Sequence, residues 1–477
     1  LRLRLDSDLR GIGLALPQPL GKTAGESRDI SLEWVPGDLA GWPLRIRYND
    51  IAAATLGFGG SGRLEKAAIH FGGGFVPLPA GREIRLSGRL SRASPIEWGQ
   101  MVGGGSSPTT LPPLSFDLEV DSLMLGELQV PSVKLASQAA QPWVFLLTGK
   151  GAEGNLRLAF APQGRLARIE ADLAHLNLLR DKSGDGAASA DDESDVLAGF
   201  PELRLSISDF RWNGKELGLA ALEAERVDTG LAFTRLSLAS EALTLEGQGA
   251  WLRTDGREFT RLSANIQDGD LGKLLQLAGD NALVDGGRLQ GRLEFTWPGS
   301  PADFSIGQLA GELRLEVADG RLKEVRPGAG KLLGLLNLQS IPRRLSLDFS
   351  DLFKEGFSFD SMRGTFLLSD GDAFTNDLHI KAPAADIKIA GRTDLVRQEY
   401  DELVTVIPHV TSGLPVAGAI AGGPAVGAAV LLAERLLSKQ VEKMSQVRYV
   451  VTGKWDDPVY RRIDQKPAKR LDEDTED

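Results

Sequence analysis

The chain has 477 residues, of which 42% are hydrophobic and 25% charged, so wholesale disorder is excluded and there is ample material for a core. Lys and Arg total 54 against 65 for Asp and Glu, a net charge of −11, and no long basic stripe could neutralise a phosphate backbone, which excludes nucleic acid as a partner. Cysteine is absent, so disulfides, thiolate catalysis and cysteine-based zinc sites are excluded too.

The chain opens with Leu1, Leu3 and Leu5 alternating with Arg2 and Arg4. It has no initiator Met, signal peptide or spanning helix there, so the expectation is a truncated chain from which any upstream membrane anchor has been removed. The dominant period that follows is two, the strand period. Ile84 and Leu86, Leu156 and Leu158, Leu203 and Leu205, Leu243 and Leu245, Leu313 and Leu315, and Ile387 and Ile389 all alternate with polar or small residues. Each such strand has one oily and one wet face. Turn signals at Asn213-Gly214, Asp319-Gly320 and Asp370-Gly371 punctuate the strands, as antiparallel hairpins require.

A loose motif recurs, in which an apolar run leads through one small or polar residue to Gly88, Gly149, Gly291, Gly391 and Gly453, each followed by a basic residue, with Gly247 as a variant. Glycine inside a strand marks a bulge or bend, so its regular use curves a long sheet into a trough, although a plain β-sandwich would use it too.

Residues 181–195 form a small, polar, acidic insert read as a mobile surface loop. A short helix is expected near 328–338. Residues 403–433 then contain no Asp, Glu, Lys or Arg, but Pro415 and Pro424 and the many Ala and Gly make a spanning helix a poor choice. The expectation is a helical hairpin within 403–444 that dips into a membrane or packs internally, followed by a closing strand to 460 and a charged tail over 461–477.

Catalytic chemistry is not legible. Gly57, Gly59 and Gly62 fit the dinucleotide fingerprint, yet 63–71 reads as a strand where a helix must begin, so a glycine-rich hairpin turn is expected. Gly21, Lys22 and Thr23 end like a phosphate-binding loop, but the preceding prolines forbid the cradle. Asp181, Ser183, Asp185, Gly186 and Asp192 fall near calcium-loop positions without flanking helices or the final bidentate Glu. His70, His175, His379 and His409 are scattered without metal spacing and are expected on strand and loop surfaces. The chain therefore reads as a non-enzyme without cofactor or metal.

Three stretches resemble a known family: residues 7–22; residues 320–338 with 356–360, 364–366, 370–371 and 387–395; and residues 414–427 with 451–458. In this order they are similar to the AsmA-like, repeating β-groove proteins of Gram-negative bacteria, and the chain resembles the C-terminal portion of one. The resemblance implies a periplasmic protein held in the inner membrane by an anchor absent from this chain. It also implies a reach to the outer membrane at the C-terminal end and the carriage of phospholipid between the two. The expected fold is mainly β: a long, curved antiparallel sheet forming an open, U-shaped apolar groove over 1–320, an AsmA-like β region over 321–402, and the helical hairpin.

On this reading Ile84, Leu86, Leu156, Leu158, Leu203, Leu205, Leu243, Leu245, Leu313, Leu315, Ile387 and Ile389 line the groove. Leu414, Val416, Ile420, Val426, Val430 and Leu431 contact the membrane. Exposing an acyl chain to water costs about 0.8 kcal/mol per CH₂, a barrier that a continuous apolar trough removes. A periplasmic scaffold or chaperone for outer-membrane proteins could use the same strands to pair with client edges, and a glycan-binding protein would show aromatic platforms at its turns.

Overall fold

A computed structural model describes residues 3–34, 43–95, 97–98, 112–125, 128–161, 165–180, 196–278, 284–322, 357–409 and 446–463. They include 24 strands and the short α-helices Val196–Gly199 and Leu271–Ala278, and the chain divides into two compact units. The first unit holds residues 1–240 and 248–256, the second 241–247 and 257–477. The protein is mainly β, as its alternating pattern requires.

In the first unit each strand pairs with the next, from β1 (Leu3–Ser7) through β2 (Ile30–Trp34), β3 (Leu44–Tyr48), β4 (Ala52–Phe58), β5 (Leu64–Phe71), β6 (Ile84–Leu90) and β7 (Leu114–Leu125). The series continues through β8 (Leu128–Gln138), β9 (Gln141–Gly149), β10 (Ala152–Phe160), β11 (Leu166–Arg180), β12 (Glu202–Trp212), β13 (Lys215–Val227) and β14 (Gly230–Ala239). β15 (Leu243–Thr254) is shared between the two units by residue.

The expected all-antiparallel order needs correcting, because β5–β6, β6–β7 and β11–β12 are parallel. A parallel neighbour needs a long return connection. In sequence the connections are residues 72–83, 91–113 and 181–201, long enough for such a return. The first connection lays Phe75 over the guanidinium groups of Arg45 and Arg47, 5.6 and 5.1 Å from its ring centre, on the polar face. The acidic insert lies in the chain between β11 and β12, and its residues 181–195 lie outside the described set.

The second unit runs antiparallel throughout, from β16 (Arg257–Asp270) to β17 (Val284–Pro298), β18 (Ala310–Leu322), β19 (Phe357–Ser369), β20 (Asp372–Lys381), β21 (Ala385–Asp394), β22 (Glu399–Pro408), β23 (Val447–Lys454) and β24 (Pro458–Ile463). Residues 399–408 are therefore a strand, which moves the start of the expected hairpin region past Pro408, and the strand to Ile463 shortens the expected tail. The remainder of both, and the helix expected at 328–338, lie outside the described residues.

Neither described helix is among those expected from the sequence. α2 (Leu271–Ala278) starts where the Asp270 carboxylate accepts from the Lys273 amide at 2.9 Å, an N-cap, and buries Leu271 and Leu275 against β17. The shorter α1 (Val196–Gly199) precedes β12.

Three of the recurrent glycines, Gly88, Gly149 and Gly391, have a shared cause. At Gly149 φ is +142°, and an added Cβ would stand 2.2 Å from the Ser132 carbonyl oxygen of the neighbouring strand. At Gly391 φ is +152° and the Asp401 carbonyl oxygen is 2.4 Å from that position. Only glycine admits both the backbone angle and the approach. Asn213-Gly214 and Asp370-Gly371 form hairpin turns as expected, whereas Asp319-Gly320 lies inside β18, where the register passes over Asp319.

Candidate functional site

Cross-strand partners share a face, so the register shows what the alternation brings together. Leu5, Leu32, Ile46, Ala54, Ile69, Leu86 and Phe116 form one row across β1 to β7. Ile84 stands in the adjacent row, between Ala67 and Leu114. Further along, Leu158, Ile169, Leu203, Ala224 and Phe233 form a row across β10 to β14, and Leu156, Ala171, Leu205, Leu222 and Leu236 form the row beside it. Six of the expected lining residues therefore lie in two apolar tracts of one unit, with Ile169 and Ala171 as the links that alternation alone did not join. Of these six, Ile84 is buried, and Leu86, Leu156, Leu158, Leu203 and Leu205 are half-buried.

The polar face of the same strands is a charge ladder. Arg157, Glu170, Arg204, Glu223 and Arg235 stand in register across β10 to β14. Arg157 and Glu170 approach to 3.5 Å, and Arg235 and Glu223 to 3.8 Å. Beside them Arg168 meets Glu202 at 2.7 Å, and that bond holds the Glu202 carboxyl below its ordinary range against the opposing effect of burial.

In the second unit Leu313 lies between Leu293 and Phe366, and Leu315 between Gly291 and Gly364. Ile387 lies between Ile380 and Val406, and Ile389 between Leu378 and Val404. Leu313 and Leu315 are half-buried, but Ile387 and Ile389 are 0% and 1% exposed, packed in a core with Phe357, Met362 and Phe366. Leu243 and Leu245 of β15 are half-buried. Leu414, Val416, Ile420, Val426, Val430 and Leu431 lie outside the described residues.

This apolar face also holds Tyr400 and Glu402, both 3% exposed, with the Thr393 hydroxyl donating to the Glu402 carboxylate at 2.6 Å. Burial, with the nearby Glu402 charge second, pushes the Tyr400 phenol above its ordinary range.

The motifs that resembled other chemistry resolve into structure. Gly59 to Gly62 turn between β4 and β5. The buried Lys22 ammonium donates to the carbonyls of Leu9 and Thr23, each at 2.9 Å, and of Ile12, which leaves it no role as a phosphate cradle. His70 meets Ser87, His175 meets Asp209 at 2.8 Å, and His379 and His409 both approach Asp386, at 3.6 and 3.5 Å. That last pairing joins residues 30 positions apart in sequence, so spacing could not reveal it.

One feature of the first apolar face lay outside the sequence reading. Leu197 of α1 is buried against Ala224, Leu231 and Trp251, with Phe200, Leu203 and Phe233 packed around them. Arg226, on the same alternation as Leu222 and Ala224, donates to the Leu197 and Ala198 carbonyls at 2.7 and 3.0 Å and to the Phe200 carbonyl. An arginine at an apolar strand position was the available signal.

The model of the YhdP protein family matches residues 1–460. The chain belongs to the YhdP family. It is 26% identical, over 98% of its length, to the intermembrane phospholipid transporter YhdP of Escherichia coli strain K12, and spans 37% of that protein. No solved structure matches. Among the described residues no helix is long and apolar enough to cross a membrane.

Proposed function

We propose that this chain is part of a conduit in a Gram-negative envelope, along which phospholipid acyl chains pass between the inner and outer membranes. The observation that carries the reading is the register of the first unit, which sets half-buried Leu and Ile side chains into continuous rows on one face. Rows crossing successive strands at about 4.8 Å intervals offer an acyl chain apolar contact without a break longer than a few methylenes. Family membership and the printed name of the Escherichia coli relative support the same reading.

The headgroup stays in water, so no headgroup pocket is required and selectivity among headgroups is weak. The lining comprises the residues named from the sequence, with Ile169 and Ala171 between those of the first unit, except Ile387 and Ile389, which are closed into a core at 0% and 1% exposure. The protein works in the periplasm, with the membrane contact at the C-terminal end made by Leu414 to Leu431.

The test is capture of lipid. Photo-crosslinkers at Leu156, Leu158 and Leu205 are expected to trap phospholipid in cells, and the purified chain is expected to carry phospholipid in native mass spectrometry. Capture at the polar-face positions Arg157 and Arg204 alone, or unfolded outer-membrane protein bound with no lipid, refutes the reading.

A further inference from the structure

We infer that residues 197–200 are a strap that occupies an acyl-chain position on the first apolar face and must lift for lipid to pass. This inference rests on the conduit reading and adds to it a point of control.

The row Leu158, Ile169, Leu203, Ala224 and Phe233 is where the strap sits. Leu197 and Phe200 pack on its last three members, and the Phe200 ring meets Trp251 edge-on, with centroids 5.5 Å apart. The strap therefore fills with its own side chains the apolar ground that a passing acyl chain would need. Both occupants are apolar, so exchanging one for the other leaves little net surface exposed to water.

Beside this packing, two arginines hold the strap by its carbonyls. Arg226 donates to three carbonyls of the strap, and Arg165 donates to the Ala198 carbonyl at 2.9 Å. A helix of four residues leaves its last carbonyls without intrahelical donors, and the two guanidinium groups supply them. Arginine bonds to neutral carbonyls exchange readily with water, so the latch can open without leaving a buried charge stranded. Arg226 is a positioning residue for the strap.

The chain contains no cysteine, so a single introduced thiol reports cleanly. Leu197→Cys in the full chain is expected to react with maleimide at least tenfold faster when the protein is loaded from phosphatidylethanolamine–phosphatidylglycerol vesicles than when it is lipid-free. Ala198→Cys carrying an environment-sensitive dye reports the same lift without disturbing the buried leucine, since Ala198 is exposed. Arg226→Gln is expected to raise Leu197→Cys labelling without lipid and to speed lipid transfer between donor and acceptor vesicles.

Unchanged labelling and dye signal in protein that native mass spectrometry shows to be lipid-loaded overturns the strap while leaving the conduit standing. Loss of transfer and of folded protein together in Arg226→Gln, with no lipid-dependent dye signal at Ala198→Cys, makes the segment a fixed part of the fold and overturns it as well. Failure of the unmodified chain to take up any lipid refutes the conduit itself, and the strap with it.

Discussion

The two units carry the same alternating pattern to different ends. In the first, the rows through Leu156, Leu158, Leu203 and Leu205 keep part of each side chain open, and small residues such as Ala171, Ala220 and Ala224 stand between the large ones. In the second, Phe357, Phe359, Met362 and Phe366 meet Ile380, Ile387 and Ile389, with Leu271 and Leu275 of α2 added from outside the sheet, and these side chains are buried in a core. Alternation decides which side is oily; the volume of the side chains and what stands on them decide whether that side is a surface or a core.

The strongest way to break this comparison is to place a carboxylate on each face. Ile389→Asp is expected to cost about 5 kcal/mol or more, enough to unfold the second unit, because the charge has no water and no partner there. Leu158→Asp is expected to leave the first unit folded while abolishing lipid capture. Urea denaturation of both variants measures the difference; equal costs would end the distinction between open and closed faces.

Truncation asks the same question more gently. Phe366→Ala is expected to lose about 3–5 kcal/mol and Leu156→Ala roughly 1–2 kcal/mol, since the half-buried leucine has less to lose and leaves a smaller cavity. Differential scanning calorimetry that ranks them the other way would contradict the burial difference.

Gly149→Ala and Gly391→Ala sharpen the point, because both force a Cβ against a neighbouring carbonyl whichever face is packed. Each is expected to cost about 1–3 kcal/mol, to a similar degree. A markedly larger loss at Gly391 would mean that the closed core, and not the backbone approach, sets the cost.

The smallest effect is one of pH. Burial pushes the His379 imidazole below its ordinary value of 6.5, with Asp386 pulling the other way and Lys388 and Lys381 adding to the decrease. The unfolded chain therefore takes up the proton first as pH falls. Stability of the second unit should be complete above about pH 6.5 and decline as pH drops through that value toward the lowered one. In His379→Gln the slope of the urea midpoint over this window should flatten.

Much of this was legible from residues. Leu156 and Leu158, or Leu203 and Leu205, declare their strands because every second position is apolar, and Asn213-Gly214 declares its turn. The parallel pairs were not legible, because residues 72–83 and 181–201 look like loops whichever way the next strand runs. Val404 and Val406 alternate with Thr405 and Ile407 on β22, but a stretch free of charge hid the period. α2 carries Leu271, Leu274 and Leu275 at helical spacing over only two turns, too short to stand out among strands. The strap escaped because four residues have no period at all; Arg226 among apolar neighbours was its one trace.

The charge ladder on the polar face has a consequence for how the sheet finds its reading frame. Rows of Leu and Ala look alike, so the apolar face cannot tell one register from another two residues away, and such a slip leaves inside and outside unchanged. The charges can. In the observed β11–β12 frame Arg168 is level with Glu202 and Glu170 with Arg204. Sliding one way sets Arg168 level with Arg204, and sliding the other sets Glu170 level with Glu202, so either error places like charges side by side. The wet side of the sheet thus proofreads the alignment on which the oily side depends.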